Sequence, residues 1–318
     1  MSKLDIILYI CKKNEKNMEN LSLVETKWKI SPARRILLLL VLALAGLVVC
    51  SVVMLFFMVK QDNLEGGMVY ATIVLQDVLV FMVPAIAAMA LCYYNPLRVM
   101  GLSQAPSWKG IALAVLVCVV SLPAMNWLVE WNKSMQLPQA LSGLEQWMQA
   151  MEKQGEQMTQ GMLQHQSVPG LLANVLVVGF LAGLSEEIFF RGGMLKMFSR
   201  SGNYTHVAVW AVAIIFSAIH MQFYGFVPRM LLGAWFGYLL WWTRSLWVPI
   251  IAHALNNSLV VVFTWMEERG MVDSGSFDQM GLPQEGQLPW LALCSAVLTV
   301  TLIVCSRRYL FQKNEQSV

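Results

Sequence analysis

One stretch of the chain, Ile36–Val59, contains no charged side chain. A helix needs about 20 apolar residues to cross the hydrocarbon core of a bilayer, so this stretch is long enough to span a membrane. The composition agrees, because 57% of the 318 residues are hydrophobic and only 13% are charged, whereas soluble domains carry about 25% charged residues. The sequence therefore predicts a multi-pass membrane protein. The formal net charge of +3 is too small to indicate a nucleic-acid partner.

Further apolar stretches follow the first, and they predict an all-α fold, a polytopic transmembrane bundle of about eight helices. The bundle is predicted to occupy residues 36–306, between polar tails at 1–35 and 307–318. The predicted spans are Ile36–Val59, Gly67–Tyr94, Gly110–Leu128, Gly170 through Glu186, His206–His220, Val227–Thr243, Leu246–Met266 and Pro289–Ser306.

The charges of the loops predict how the bundle is oriented. Segments 95–109 and 192–205 contain basic residues and no acidic ones, whereas segment 267–288 contains five acidic residues and one arginine. With eight spans, the basic loops lie on the same side as both tails. Since lysine and arginine are enriched in cytoplasmic loops, both termini are predicted to be cytoplasmic.

The long loop at 129–169 is predicted to lie on the other side. It is rich in Gln and Met, and its apolar residues recur at a helical spacing. We expect an amphipathic helix that either lies on the membrane surface or caps the bundle. The apolar residues are Leu141, Leu144, Trp147, Met148 and Met151.

Ionisable side chains inside apolar stretches are costly in a membrane, so each one is a candidate functional residue. Asp77 stands alone and is interpreted as a packing residue. The others form three clusters on three of the predicted helices, which are Glu186, Glu187 and Arg191, then Phe216 and His220, then His253, Asn256 and Asn257.

Helix geometry gives the first cluster a predicted arrangement. Glu187 and Arg191 are four residues apart with the acid first, which is the favourable order for an ion pair. Glu186 points about 100° away on the same helix, towards the interior of the bundle. Glu186 and His220 are each 14 residues from the ends of a predicted turn near 201–203, so they are expected at the same depth.

A carboxylate and two imidazoles in an apolar bundle suit the activation of water for amide hydrolysis. Glu186 would take a proton from the water as general base. The histidines and the amide of Asn257 would either hold a metal-bound water or donate to a developing oxyanion. The candidate metal ligands are His220, His253 and Glu186.

Structural interpretations of the same residues stay open. Glu187 and Arg191 are also consistent with a buried ion pair that only holds helices together, and a histidine in a membrane helix is often a helix–helix hydrogen bond. Gly233 and Gly237 form a GxxxG spacing, which is interpreted as close helix packing.

Taken together, the three clusters resemble the CPBP family of intramembrane endopeptidases, which includes type II CAAX prenyl endopeptidases and bacterial bacteriocin-immunity relatives. The pattern of that family is EExxxR, FxxxH and HxxxN on successive helices of an eight-span bundle. The matching segments here are Glu186 to Arg191, Phe216 to His220 and His253 to Asn257. The resemblance covers a catalytic core at about 170–260.

The resemblance implies that Glu186 is the general base and that Glu187 with Arg191 supports the site. It implies that His220, His253 and Asn257 orient the water or stabilise the oxyanion. The family is described both as metal-dependent and as glutamate-dependent without a metal. A cofactor such as Zn²⁺ or another divalent metal and a metal-free glutamate mechanism are therefore equally open.

The sequence thus predicts an intramembrane endopeptidase that cleaves peptide bonds near the cytoplasmic leaflet of a bacterial cytoplasmic membrane. Its partners would be the lipid bilayer and a membrane-associated protein or peptide substrate, with lipidated, CAAX-like proteins as one option. The alternative is a non-catalytic membrane adaptor or bacteriocin-immunity protein of the same fold. A transporter is less well supported, because the sequence shows no internal repeat.

Overall fold

The protein is described by a computed structural model, which covers residues 26–28, 30–60, 65–135, 137–163, 167–199, 205–283 and 287–316. Most of the predicted N-terminal tail and the predicted turn near 201–203 lie outside these described residues. Within them the chain consists of helices joined by turns and contains no β-strand.

The helices follow one another in a simple order along the chain. They are α1 (Pro32–Lys60), α2 (Glu65–Gln76), α3 (Val83–Cys92), α4 (Pro96–Met100), α5 (Trp108–Lys133), α6 (Ser142–Leu163), α7 (Val168–Asn174), α8 (Ala182–Glu187), α9 (Lys196–Phe198), α10 (His206–Ala218), α11 (Phe226–Thr243), α12 (Trp247–Glu268) and α13 (Trp290–Gln316). Three π-helical segments join neighbouring α-helices, at Asp77–Met82, Val175–Leu181 and Ile188–Leu195.

The all-α polytopic fold is confirmed. Six helical stretches in the described residues are long and apolar enough to cross a membrane. The two other predicted spans correspond to α10, which is apolar but only 13 residues long, and to α11. The six stretches are Pro32–Phe57, Val69–Cys92, Trp108–Lys133, Val168–Phe198, Trp247–Glu268 and Trp290–Arg308.

Helices α1 and α13 present large apolar side chains at the surface. Leu44, Val52 and Leu55 on α1, and Val297 and Val300 on α13, each expose 60% or more of their surface. A contiguous apolar surface of this kind marks an interaction with an apolar environment. In a membrane protein, that environment is the lipid.

The bundle has two ends. The terminal end contains the start of α1 and the segment before it, in which the Lys27 amide donates to the Cys92 carbonyl (2.9 Å). The α11–α12 turn joins the same end, because the Leu246 amide donates to the carbonyl of Gly101 (3.1 Å), just after α4. At the opposite end, Asn132 near the end of α5 donates to the carbonyl of Phe223 between α10 and α11 (3.1 Å).

Helix α6 covers the tip of the α10–α11 hairpin. Its Trp147 ring lies 5.4 Å from that of Phe223, and the Tyr224 amide donates to Glu152 Oε2 (3.3 Å). The 13 residues of α10 extend about 20 Å, less than the roughly 30 Å core of a bilayer, so the hairpin tip leaves room for α6. Of the two expectations for the 129–169 loop, the structure therefore corresponds to capping of the bundle.

Gly46 sets how closely α1 approaches the first π-helical segment, because a Cβ at this position would overlap the backbone carbonyl of Leu79. We expect Gly46→Val to lower the free energy of unfolding by about 1–3 kcal/mol through overpacking. Gly143→Val is the matched control, since nothing lies within 4 Å of its added Cβ. Unfolding of the detergent-solubilised variants measures both effects, and an equal loss of stability in the two variants would contradict the prediction.

Candidate active site

Glu186 and Glu187 end α8, between two π-helical segments of the continuous Val168–Phe198 helix. Such segments contain one extra residue per turn and are frequent at functional sites. The side chain of Glu187 is fully buried, whereas that of Glu186 keeps 14% exposure and lines a cavity. The two neighbouring carboxylates therefore occupy different environments, as their angular separation on a helix predicts.

The predicted ion pair of the first cluster is present. Arg191 is fully buried, and its Nη1 donates to Glu187 Oε1 at 2.7 Å. Its Nη2 donates to the Gly233 carbonyl at 2.8 Å, and its guanidinium lies 4.6 Å from the centre of the Phe216 ring. A Cβ on Gly233 would lie 3.3 Å from Nη2 and 3.0 Å from Phe216. Gly233, interpreted above only as a helix-packing residue, thus also makes room for the arginine.

His253 lies between the two carboxylates. Its Nδ1 is 2.9 Å from Glu187 Oε1, its Nε2 is 3.7 Å from Glu186 Oε2, and its ring stacks on Phe236 at 4.9 Å. The approach of α8 to α12 depends on Gly183, where a Cβ would lie 3.0 Å from the backbone nitrogen of Ala254. This close packing brings the glutamates and His253 together.

His220 faces Glu186 from the other side. Its Nε2 lies 4.0 Å from Glu186 Oε1, and its Nδ1 lies 2.8 Å from the carbonyl oxygen of Phe216, four residues earlier. The separation agrees with the equal depth predicted from the sequence. The Phe216 ring stands edge-to-face against both histidines, at 5.1 Å from His220 and 5.8 Å from His253.

The hydrogen bonds of the two imidazoles assign their tautomers. The Phe216 carbonyl can only accept, so Nδ1 of His220 carries the hydrogen. Glu187 is paired with Arg191 and accepts in the same way from Nδ1 of His253. In a neutral imidazole the other nitrogen is then the acceptor. Both Nε2 lone pairs therefore face Glu186, and a water molecule between them would find three acceptors for its two hydrogens.

Asn257 completes the predicted set on the same face of α12 as His253. It lines the cavity with Asn256, and its Nδ2 donates to the Val178 carbonyl at 3.3 Å. An amide nitrogen carries two hydrogens. One of them is used to hold the side chain, and the second is available to a group in the cavity.

The cavity has a volume of about 340 Å³. It extends from Glu186 and His253 to Val129 and to Asp278, an exposed residue of the loop after α12. Towards the terminal end, by contrast, Leu240 and Ile250 are fully buried. The cavity therefore leads from Glu186 towards the opposite end of the bundle. The polar lining residues are Ser121, Asn126, Glu186, His220, Arg229, His253, Asn256, Asn257 and Asp278.

The candidate metal ligands do not fit a metal centre in this arrangement. Two ligands at about 2.0–2.1 Å from one tetrahedral zinc are roughly 3.3 Å apart, whereas the nearest oxygens of Glu186 lie 3.7 and 4.0 Å from the two Nε2 atoms. Among the described residues, no group of three His, Cys, Asp or Glu side chains is placed to hold a metal ion.

Asp77 also belongs to this neighbourhood, although the sequence left it isolated. It starts the first π-helical segment, exposes only 4% of its surface, and lies near Ser185 and Glu186. Its Oδ2 has no hydrogen-bond partner in the described part of the chain. In the sequence, Asp77 was distinguished only as the single acidic residue of an otherwise uncharged predicted span.

The comparison with protein families agrees with this geometry. Residues 168–259 match the family model described as type II CAAX prenyl endopeptidase Rce1-like. This segment contains the three clusters, and the resemblance predicted from the sequence is confirmed over it. The segment is similar to an Rce1-like domain, and at the level of the family this match supports a CAAX-type endopeptidase of the membrane.

A curated relative extends the similarity beyond that segment. The chain is 23% identical over 156 residues to "Uncharacterized protein YpbD" of Bacillus subtilis (strain 168). The match covers 48% of this chain and 65% of the relative, so the chain spans slightly less than two thirds of the relative's length. No solved structure matches the chain significantly.

Proposed function

We propose that the protein hydrolyses peptide bonds of membrane-associated substrates with a water molecule activated by Glu186. The observation that carries the proposal is the position of this carboxylate. It lies in a cavity between two imidazole Nε2 atoms, at 3.7 and 4.0 Å, and outside the ion pair that Glu187 forms with Arg191. A carboxylate that forms no ion pair with an arginine can accept a proton.

The reaction proceeds in two steps. The Nε2 atom of His253 or His220 accepts a hydrogen bond from one hydrogen of the water and positions it, while Glu186 removes the other hydrogen as a proton and the oxygen attacks the carbonyl carbon. The second N–H of Asn257 donates to the oxyanion of the tetrahedral intermediate. Protonated Glu186 then transfers its proton to the leaving nitrogen as the carbon–nitrogen bond breaks, which releases a carboxylate and an amine.

Glu187 and Arg191 act indirectly in this scheme. Glu187 accepts from Nδ1 of His253, which fixes the tautomer and the orientation of that ring. Arg191 compensates the charge of Glu187 within the buried core. Their role is therefore to position His253 and not to contact the substrate.

The route of entry bears on the substrate. The cavity reaches the end of the bundle opposite the start of α1, and the predicted orientation places that start in the cytoplasm. We propose that substrates enter from the non-cytoplasmic half of the membrane. This replaces the expectation of cleavage near the cytoplasmic leaflet and favours exported or membrane-embedded peptides over cytoplasmic CAAX proteins.

The proposal is tested by cleavage of a library of membrane-anchored peptides by the purified protein in detergent. We expect the wild type to produce defined fragments and His253→Ala to lose at least 100-fold in rate, because the water loses one of its positioning groups. An inert wild-type protein, together with unchanged cellular function in His253→Ala, would instead support the non-catalytic adaptor.

We further propose that no metal takes part, because the donor distances are longer than those of a zinc site. Prolonged treatment with a chelator is expected to leave the cleavage rate within about twofold of the untreated protein. A zinc peptidase with an HExxH motif, treated in the same buffer, serves as the positive control for metal removal. Loss of activity that added Zn²⁺ restores would overturn this mechanism and make the histidines ligands.

A further inference from the structure

A single arginine stands in the wall of the same cavity. Arg229 lies in the first turn of α11 and lines the cavity together with Glu186. Among the described residues that form the lining, it is the one side chain that carries a permanent positive charge. The sequence did not indicate a role for Arg229, because it lies near the start of a predicted span, where basic residues are common.

The guanidinium is held in place by the turn that precedes α11. Nη1 donates to the backbone carbonyl of Gln222 at 3.1 Å, and Nη2 donates to the side-chain Oε1 of the same residue at 3.0 Å. A Cβ on Gly225 would lie 3.1 Å from Nη2, so the group occupies space that glycine leaves open. The Gln222 side chain in turn packs against Gly155 of α6. The arginine is therefore fixed before any ligand arrives.

Among the side chains that the structure places, no carboxylate matches the charge of Arg229 at close range. None of their Asp or Glu oxygens lies within 4.0 Å of its nitrogens, and the acceptors of its two hydrogen bonds are neutral carbonyl oxygens. Glu152 and Glu186 act on it only at longer range, and Glu152 Oε2 is occupied by the Tyr224 amide. A cation that is partly removed from water without a counterion favours the binding of an anion.

The geometry also leaves the donors that an anion needs. A guanidinium has five N–H groups in a planar fork that matches a carboxylate. Gln222 uses one hydrogen from each terminal nitrogen, which leaves up to three for a ligand. The cavity that connects Arg229 to Glu186 has the size of a site for a short peptide segment.

We propose that Arg229 binds a carboxylate of the peptide substrate and so determines which peptides are cleaved. This inference rests on the proposed function, and it adds the substrate class. The preferred substrate carries a negative charge, either a C-terminal carboxylate or an acidic side chain, at a short distance from the bond that is cleaved. Arg229 holds that charge while the apolar part of the peptide occupies the rest of the cavity.

The experiment measures binding without cleavage, in the full chain carrying Glu186→Gln. The probes are three palmitoylated octapeptides of Ala, Leu and Ser that carry an uncharged dansyl label. One ends in a free carboxylate, one ends in an amide, and one ends in an amide but contains an internal Glu. At least one carboxylate form is expected to bind about tenfold or more tightly than the uncharged amide. The form that gains affinity identifies the source of the charge.

The variants separate a contact with the ligand from a structural role. Adding Arg229→Gln is expected to abolish the preference for the carboxylate and to leave the affinity for the uncharged amide unchanged, whereas Arg229→Lys keeps part of the preference. Arg269→Gln is the matched control, because Arg269 is an exposed arginine that stacks on Trp265, and it keeps the full preference.

Equal affinity for the three peptides, or a preference that survives Arg229→Gln, would overturn the inference. Weaker binding of all three peptides to Arg229→Gln would overturn it as well, in favour of a structural role. Cleavage by the wild-type protein is measured separately. Carboxylate binding that depends on Arg229, without any cleavage, would refute the peptidase and leave the anion site in place.

Discussion

Replacing Glu186 by Gln is expected to reduce peptide cleavage by about 10²–10⁴-fold, the usual contribution of general acid–base catalysis. Glutamine has the shape of glutamate, but it cannot accept the proton of the attacking water. The fold should be retained, because the Arg191 ion pair is formed by Glu187 and not by Glu186. The measurement is the cleavage rate of a membrane-anchored peptide, together with the melting temperature of each protein in the same detergent.

Glu130→Gln is the matched control for this substitution. Glu130 is an exposed glutamate near the end of α5 and does not line the cavity, so its replacement should change neither rate nor melting. A fully active Glu186→Gln protein would remove the general base from the proposal. A variant that loses activity only in proportion to lost folded protein would show that Glu186 has a structural role.

The sequence predicted those parts of the site that lie close together along one helix. Glu187 and Arg191 contact each other because residues four apart share a face, and His253 and Asn257 line one cavity for the same reason. The prediction held although Ile188–Leu195 is π-helical, since the extra residue of that segment is accommodated without separating the pair. Long apolar stretches likewise predicted the spans, because the membrane requires them.

Contacts between distant parts of the chain could not be predicted in this way. Asp77 and Ser185 are far apart in sequence, and their contact depends on which helices are neighbours and how each is rotated. The same holds for Gly233, whose carbonyl accepts a hydrogen bond from Arg191 on another helix. The anchoring of Arg229 by Gln222 depends on the turn before α11, where helical periodicity gives no guidance. The tautomers of His220 and His253 could not be predicted from the sequence either, because each depends on the hydrogen-bond partner of Nδ1 in the folded protein.

The second large effect concerns stability. Replacing Arg191 by Met is expected to lower the free energy of unfolding by about 3–5 kcal/mol, because it leaves the buried carboxylate of Glu187 without its cation. Both side chains are fully buried, so water cannot solvate the remaining charge. The loss should appear as unfolding at a lower SDS fraction in mixed micelles. Loss of cleavage should accompany it, because the arginine no longer holds Glu187, the hydrogen-bond partner of His253.

The double variant Glu187→Gln/Arg191→Met separates charge from packing. Removing both charges leaves no isolated ion, and replacement of a buried pair by neutral groups is often close to neutral for stability. Most of the lost stability should therefore return. Cleavage should stay low, because the neutral amide that replaces the Glu187 carboxylate is a weaker acceptor for the Nδ1 hydrogen of His253. Arg269→Met, at an exposed arginine, controls for the loss of a long side chain. If the double variant were as unstable as Arg191→Met alone, the cost would come from lost packing around Phe216 and not from the unpaired charge.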